Sequence, residues 1–267
     1  MRPIGEFPLA DRAAVRVVLT DIDDTMTDEG MLPSGSLAAM ERLSRAGLKV
    51  IPVTGRPAGW CDHFARMWPI DAIVGENGAF WFSYDRTAKR MKSGYVKSAA
   101  ERADDRAKLD ALREEILKEV PGAGIASDQF CRVADLAIDF CEDVPPLPRS
   151  EVDRIVAMFE RAGATAKVSS IHVNGWFGSY DKLTTSRTCL KDLFGIDIDA
   201  DNAACVFVGD SPNDQPMFRH FTHGIGVANI RDFDLDHPPR WVTPGRGAAG
   251  FMQVAEALLQ SRDKAAG

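Results

Sequence analysis

Long hydrophobic runs are absent from this sequence. No stretch approaches the roughly 18 consecutive apolar residues of a membrane-spanning helix, and the N-terminus lacks the apolar region of a signal peptide. The cysteines are scattered and form no Cys-x-x-Cys pair, which argues against a disulfide framework or a zinc site. We therefore expect a soluble cytoplasmic protein with reduced thiols and no membrane partner.

An excess of basic residues is also absent. Lys and Arg total 32 against 39 Asp and Glu, which gives a formal net charge of -7. Nucleic-acid binding requires a basic face, so the charge balance argues against a nucleic-acid partner. Internal repeats and low-complexity tracts are missing too. What remains is an ordinary globular composition in 267 residues, enough for one large domain or two smaller ones.

Short apolar runs alternate with helical patterns toward both ends of the chain, which predicts βαβ units and a parallel sheet. The predicted strands are 15–19, 48–53, 71–74, 79–83, 204–208 and 224–227. The predicted helices are 36–46, 57–67, 184–194, 214–218 and 248–260.

The middle of the chain has a different pattern. A charged helix is predicted over 97–120, with a buried stripe formed by Leu109, Leu112, Ile116 and Val120. A strand over 133–140, a helix over 151–161 and a strand over 166–173 follow. The fold class predicted is α/β. It has a Rossmann-like parallel-sheet core in residues 1–84 and 179–267, and an inserted α+β domain in residues 85–178.

Acidic residues cluster where two predicted strands end. Asp21 and Asp23 follow one strand in the stretch TDIDDT, and Asp210 and Asp214 follow another in GDSPND. Ligands of open parallel sheets bind beyond the carboxyl ends of the strands, and paired carboxylates there suit Mg²⁺. Taken alone, each cluster fits equally well a solvated turn that caps a helix. Two clusters at equivalent positions favour one metal site.

Two further segments offer groups that bind phosphate. Thr54 and Gly55 end a third strand, where a hydroxyl and backbone N–H groups can hold phosphoryl oxygens. Lys182 precedes a predicted helix and can balance the charge of nearby acids. In isolation, Thr54 also fits a simple helix cap, and Lys182 a solvated charge.

These segments together resemble the four motifs of the haloacid dehalogenase (HAD) superfamily of phosphohydrolases. The motifs occur in order as TDIDDT, Thr54-Gly55-Arg56, Lys182 and GDSPND, although Leu183 stands where the family usually has glycine. The insertion between the second and third motifs resembles the cap of subfamily IIB. That group includes Cof-type, sucrose-phosphate and mannosyl-3-phosphoglycerate phosphatases, and GENGAF and GIGVAN also resemble it.

The resemblance implies a role for each motif. Asp21 would be the nucleophile that forms an aspartyl-phosphate, and Asp23 the general acid and base. The implied phosphate-binding residues are Thr54, Gly55 and Lys182. The implied Mg²⁺ site consists of Asp21, Asp23 (through its backbone carbonyl), Asp210 and Asp214, supported by Ser211 and Asn213.

The inserted domain is expected to act as a lid that reads the leaving group. Its candidate substrate residues are His172, Asn174 and Trp176, the last by stacking on a sugar face, whereas Asp128 and Arg132 are expected to be solvated. The predicted function is a Mg²⁺-dependent phosphatase of a small phosphorylated metabolite such as a sugar phosphate. A sugar phosphomutase of the same subfamily and a non-catalytic phosphometabolite sensor remain alternatives.

Overall fold

A six-stranded parallel sheet forms the centre of the computed structural model, which describes residues 1–169 and 171–263. In chain order the strands are β1 (Arg2–Pro3), β2 (Val17–Thr20), β3 (Lys49–Pro52), β4 (Ile73–Gly75), β5 (Phe80–Asp85), β6 (Arg90–Tyr95), β7 (Gly124–Ile125), β8 (Leu136–Asp139), β9 (Thr165–Val168), β10 (His172–Trp176), β11 (Cys205–Gly209), β12 (His223–Gly226) and β13 (Trp241–Val242). The helices are α1 (Leu9–Ala14), α2 (Ser34–Arg45), α3 (Ala58–Met67), α4 (Ala99–Glu119), α5 (Arg149–Arg161), α6 (Lys182–Phe194), α7 (Gln215–His220) and α8 (Gly247–Asp263).

The central sheet has the strand order β1-β13-β12-β11-β2-β3, with every neighbouring pair parallel. Its strands are apolar because both faces are covered: Val18 packs into one buried cluster and Leu19 into another on the opposite face. The predicted α/β class is therefore confirmed. Within the described ranges, no helix is both long enough and apolar enough to cross a membrane.

A small antiparallel sheet, β4-β5-β6, follows the third helix. β6 was not predicted from the sequence, because its residues alternate too weakly in polarity. Gly94 in this strand leaves room for Trp81, whose indole nitrogen would lie 2.3 Å from an added Cβ. The β5–β6 hairpin spans residue 85, where the sequence predicted a domain boundary.

The segment from α4 to β10, residues 99–176, forms an antiparallel sheet with the order β7-β8-β10-β9 and two helices packed on it. We call it the inserted unit. Its separate apolar core includes the stripe predicted on α4, namely Leu109, Leu112, Ile116 and Val120.

The continuous strand predicted over 166–173 is wrong. β9 and β10 are two antiparallel strands, with Val168 paired to Val173. The chain reverses near Ser169, whose amide donates to the carbonyl of His172 at 2.8 Å. Ser170, within the predicted strand, lies outside the described residues.

Candidate active site

Parallel pairing brings the predicted motifs to one edge of the central sheet. Thr20 at the end of β2 is in register with Val208 of β11 and with Pro52 of β3. The amide of Asp21 then donates to the carbonyl of Val208 at 2.9 Å. Residues that follow these three strands therefore meet beyond their carboxyl ends, where open α/β sheets bind ligands.

Three carboxylates converge at this edge. Asp21, Asp210 and Asp214 are buried, and each offers an oxygen within 4.8 Å of the others. The amide of Asp210 donates to Oδ2 of Asp214 at 3.1 Å. Asp214 fits against the strand end because residue 209 is glycine, since an added Cβ would lie 2.3 Å from its Oδ2. This arrangement brings together the acids of the first and last motifs.

Lys182 is the cation that contacts this cluster. Its Nζ donates to Oδ2 of Asp21 at 3.0 Å and to Oδ1 of Asp214 at 3.1 Å. Lys182 is the first residue of α6, which is capped by Asp181, so Leu183 after it does not prevent this contact. Gly78 packs against the start of the helix, where an added Cβ would lie 2.1 Å from the carbonyl oxygen of Asp181.

The cluster holds more negative than positive charge. Burial raises the pKa of Asp21 to about 7 and that of Asp210 to about 9, and neighbouring carboxylates add to both shifts. Burial alone would lower the pKa of Lys182, but Asp21 and Asp214 raise it above its ordinary value. Three buried carboxylates with one ammonium group are therefore short of positive charge, and a divalent cation with oxygen ligands fits this donor set.

Asp23 lies outside the three-carboxylate cluster and is paired with Arg56. The guanidinium donates from Nη2 to Oδ1 at 2.8 Å and from Nε to Oδ2 at 3.0 Å. The other side of Arg56 lies over the ring of Trp60, 4.5 Å from its centroid. Because β2 ends at Thr20, Asp23 lies beyond the strand, and the alternation of side chains along a strand does not determine its direction. The ion pair with Arg56 orients its carboxylate instead. No role was predicted for Arg56, although its positive charge beside Thr54 and Gly55 is a signal in the sequence.

The loop after β3 supplies Thr54 and Gly55. The Thr54 hydroxyl accepts a hydrogen bond from the amide of Arg56 at 3.0 Å, which leaves its own proton available to a ligand. An added Cβ at Gly55 would lie 3.2 Å from Nδ2 of Asn77, so glycine allows the side chain of Asn77 to approach closely.

Thr25 forms a long-range hydrogen bond within the site. Its hydroxyl donates to Oδ1 of Asp210 at 3.1 Å, which connects the first and last motifs directly. Asp24 adopts a left-handed backbone conformation (φ 54°), and its carbonyl accepts from Asn229, as suits a turn residue. Ser211 donates to Oδ1 of Asn213 at 3.0 Å, beside the acid cluster.

The candidate substrate residues of the inserted unit share one face of β10 and are all buried. Nε2 of His172 lies 2.9 Å from Oε2 of Glu142, and Asn174 donates to Oδ2 of Asp135 at 3.1 Å. Trp176 is only 2% exposed and stacks on Tyr180, so its ring does not present the open face that stacking on a sugar would need.

Arg132 and Asp128 were expected to be solvated, and this expectation is wrong. Both are buried, and Nε of Arg132 donates to Oδ1 of Asp128 at 3.0 Å. The same guanidinium also pairs with Asp135 and donates from Nη1 to the carbonyl of Gly55 at 3.1 Å. The charges are tolerated because they neutralise each other within the contact between the inserted unit and the loop after β3.

A cleft opens beside Lys182, between the core and the inserted unit. It is lined by Asn77, Lys167, Trp176, Asp181, Lys182, Leu183, Asn213, Pro216 and Met217. Three residues of the predicted site, Trp176, Lys182 and Asn213, therefore border a space that a ligand could enter.

Comparison with known proteins finds a family match for the first part of the chain. Residues 18–106 match the family model described as haloacid dehalogenase-like hydrolase. A search of curated proteins finds no match.

Similar solved structures share the fold along nearly the whole chain. A protein from Thermoplasma acidophilum has a TM-score of 0.71 at 18% identity, over 92% of this chain and 98% of its own. A HAD/Cof-like hydrolase from Plasmodium vivax has a TM-score of 0.67 at 18% identity, over 95% and 99%. The sucrose-phosphatase of Synechocystis sp. has a TM-score of 0.63 at 15% identity, over 91% and 97%. Residues 18–106 are therefore similar to the haloacid dehalogenase-like hydrolases, and the fold of the solved structures extends along nearly the whole chain.

Proposed function

We propose that this protein is a Mg²⁺-dependent phosphatase that hydrolyses a small phosphorylated metabolite, and that the metabolite is a sugar phosphate. The observation that carries the proposal is the contact of Lys182 with Asp21 and Asp214, beside Asp210, at the carboxyl edge of the sheet. The similar sucrose-phosphatase, whose structure contains sucrose and phosphate, supports the substrate class.

The first chemical step transfers the phosphoryl group to Asp21. One carboxylate oxygen of Asp21 accepts from the amide of Ile22 at 2.8 Å, and the other accepts from Lys182, which fixes the orientation of the nucleophile. Attack on phosphorus breaks the bond to the leaving oxygen, which takes a proton from Asp23. Arg56 holds the carboxyl group of Asp23 in place through the transfer.

The second step returns Asp21 to its carboxylate form. A water molecule attacks phosphorus, the bond between phosphorus and Asp21 breaks, and Asp23 takes the proton of the water. The hydroxyl of Thr54 and the ammonium of Lys182 stabilise the phosphoryl oxygens in both steps. Asp21, Asp210 and Asp214, with the backbone carbonyl of Asp23, would hold Mg²⁺, which supplies the positive charge that lets two anions meet.

The inserted unit, within the sequence-based boundaries 85–178, serves in this proposal as a cap over the site. Its side chains bury part of the substrate and exclude water from the phosphoryl group. The contact between Arg132 and the carbonyl of Gly55 supports this role, because it joins the inserted unit to the phosphate-binding loop.

A panel of sugar phosphates tests the proposal. Phosphate release is measured with Mg²⁺ and with a chelator, for the unaltered protein and for Asp21→Asn. We expect release only with Mg²⁺ and at least about 100-fold slower release from Asp21→Asn, because the amide is not a nucleophile. Asp192→Asn makes the same chemical change at an exposed position of α6 and should keep full activity.

Three results would contradict the proposal in distinguishable ways. Release that survives chelation or Asp21→Asn would exclude the mechanism. Binding of sugar phosphate without turnover would indicate a sensor. Isomerised sugar phosphate without free phosphate would indicate a mutase.

A further inference from the structure

Glu76 is a fully buried carboxylate in the turn that follows β4. Glu76 and Asn77 are two successive non-glycine residues in the left-handed backbone region, with φ of 43° and 54°. Such conformations are unfavourable for residues other than glycine and persist where the surroundings hold them. The turn is therefore held by its contacts rather than favoured by its own residues.

The carboxylate of Glu76 contacts three successive backbone amides of the inserted unit. It accepts from Val133 at 2.9 Å, from Ala134 at 2.6 Å and from Asp135 at 3.2 Å. It also accepts from the amide of Ala58, the first residue of α3, at 2.9 Å. Among the described residues, no lysine or arginine side chain forms an ion pair with Glu76. Backbone donors and a helix N-terminus thus hold it in place of a countercharge.

Side chains extend this contact on both sides. Arg132 donates to the carbonyl of Gly55 and pairs with Asp135, and Asn174 connects Asp135 to strand β10. The segment 132–135 is therefore bonded to the core loop at one end and to the sheet of the inserted unit at the other.

The same turn supports the phosphate-binding loop. The amide of Glu76 donates to the carbonyl of Arg56, and the amide of Asn77 donates to the carbonyl of Thr54, both at 3.1 Å. Arg56 in turn holds Asp23. The backbone of this turn thus bonds to the loop 54–56, which orients Asp23, the proposed acid. The side chain of Glu76 bonds to the inserted unit.

We infer that Glu76 is a positioning residue that couples the inserted unit to the loop Thr54–Arg56, so that the placement of segment 132–135 sets the placement of the Arg56–Asp23 pair. This inference rests on the proposed function for its catalytic consequence, because Asp23 is the proposed proton donor. Burying a carboxylate costs free energy because the group loses its hydration, and packing alone would not offset that cost. Four of its five donor contacts join the core to the inserted unit instead.

The variant Glu76→Gln tests the inference, because glutamine has the same shape but replaces one acceptor oxygen with a donor. Turnover is compared for two phosphate esters: the best sugar phosphate of the panel and p-nitrophenyl phosphate. A sugar alcohol needs a proton to leave, whereas nitrophenolate leaves without one. With misplaced Arg56 and Asp23, we expect kcat/KM to fall about 10-fold or more for the sugar phosphate and less than about threefold for p-nitrophenyl phosphate, because kcat/KM includes only the steps up to departure of the leaving group.

Hydrogen exchange gives a second readout that does not depend on activity. In Glu76→Gln a single acceptor oxygen remains for four amides, so either Ala58 or the pair Ala134 and Asp135 loses its acceptor. The amides that lose it should exchange at least about 10-fold faster, while the amide of Val18 in β2 stays protected. The control Glu119→Gln makes the same change on the exposed face of α4 and should alter neither readout. If Glu76→Gln does not fold, Arg132→Lys provides the test, since it keeps the charge but shortens the reach to Gly55.

Equal losses of kcat/KM for the two esters, or unchanged exchange both at Ala58 and at residues 133–135, would overturn the inference. In Arg132→Lys, the same unequal loss between the esters is expected, and equal activity to the unaltered protein would overturn it. If the unaltered protein releases no phosphate from either ester, the proposed function fails instead. The exchange measurement would then still test the contact through Glu76.

Discussion

Single atoms decide whether the acid cluster can form, and Gly209 is the clearest case. The carboxylate of Asp214 occupies the space where a Cβ at residue 209 would lie, with Oδ2 at 2.3 Å and Cγ at 2.7 Å. From that position Asp214 accepts hydrogen bonds from both Lys182 and the amide of Asp210. The missing side chain thus allows an acid of the last motif to reach the lysine of the third.

Gly209→Ala should therefore remove activity while leaving the fold in place. The added methyl displaces Asp214, and a shift of about 1 Å in a reacting site can cost about 100-fold in rate. Overpacking should also lower the free energy of unfolding by about 1–3 kcal/mol. Turnover of p-nitrophenyl phosphate measures the first effect, and urea denaturation the second. Gly5→Ala is the control, because an added Cβ there meets no atom within 4 Å; activity near that of the control would contradict the prediction.

At the scale of elements, the sequence predicts where strands end, but it does not predict which side chains pair beyond those ends. An apolar run followed by acids marks the end of β2 or β11 in the local sequence, because a buried strand and a polar loop differ in composition. The pairing of Arg56 with Asp23 and the bond from Thr25 to Asp210 depend on tertiary structure, which no local pattern records.

Short and irregular elements were missed for related reasons. β1 and β13 have two residues each, too few to show a period, and they pair with each other across a long separation in sequence. The turn between β9 and β10 contains no glycine or proline to mark it, so the two strands read as one. The contact made by segment 132–135 was missed because arginine and aspartate in a short loop usually indicate solvent.

Helix α6 carries Lys182 at its first residue, and its cap fixes where the helix begins. The carboxylate of Asp181 accepts from the amide of Thr184 at 2.7 Å, and the Thr184 hydroxyl accepts from the amide of Asp181 at 3.0 Å. Asp181→Ala should lower the free energy of unfolding by about 1 kcal/mol, measured by urea denaturation. Asp181→Asn keeps an equally good cap and should change the free energy of unfolding by only a few tenths of a kcal/mol. Equal losses in the two variants would show that charge, rather than capping, stabilises the helix.

For the whole molecule, the acid cluster makes stability depend on both pH and metal. Asp21 and Asp210, with pKa values raised to about 7 and about 9, hold protons in the folded protein that the unfolded chain has already released. Where the folded state binds more protons, the free energy of unfolding falls as pH rises. Without metal, this contribution should therefore decline between about pH 4, the ordinary carboxyl pKa, and pH 9.

Mg²⁺ should reverse this decline, because it replaces the protons on the same carboxylates. We expect Mg²⁺ to raise the thermal unfolding temperature, and to raise it more at about pH 8.5 than at about pH 6, where protons compete for the ligands. At 100 times its dissociation constant, the ion would add about 2.7 kcal/mol to the free energy of unfolding. Differential scanning fluorimetry with Mg²⁺ and with a chelator, at both pH values, makes the measurement.

In Asp210→Asn the shift should largely disappear, since one carboxylate ligand and its titration are lost together. An equal shift at the two pH values, or a full shift in Asp210→Asn, would mean that the ion binds elsewhere on the protein.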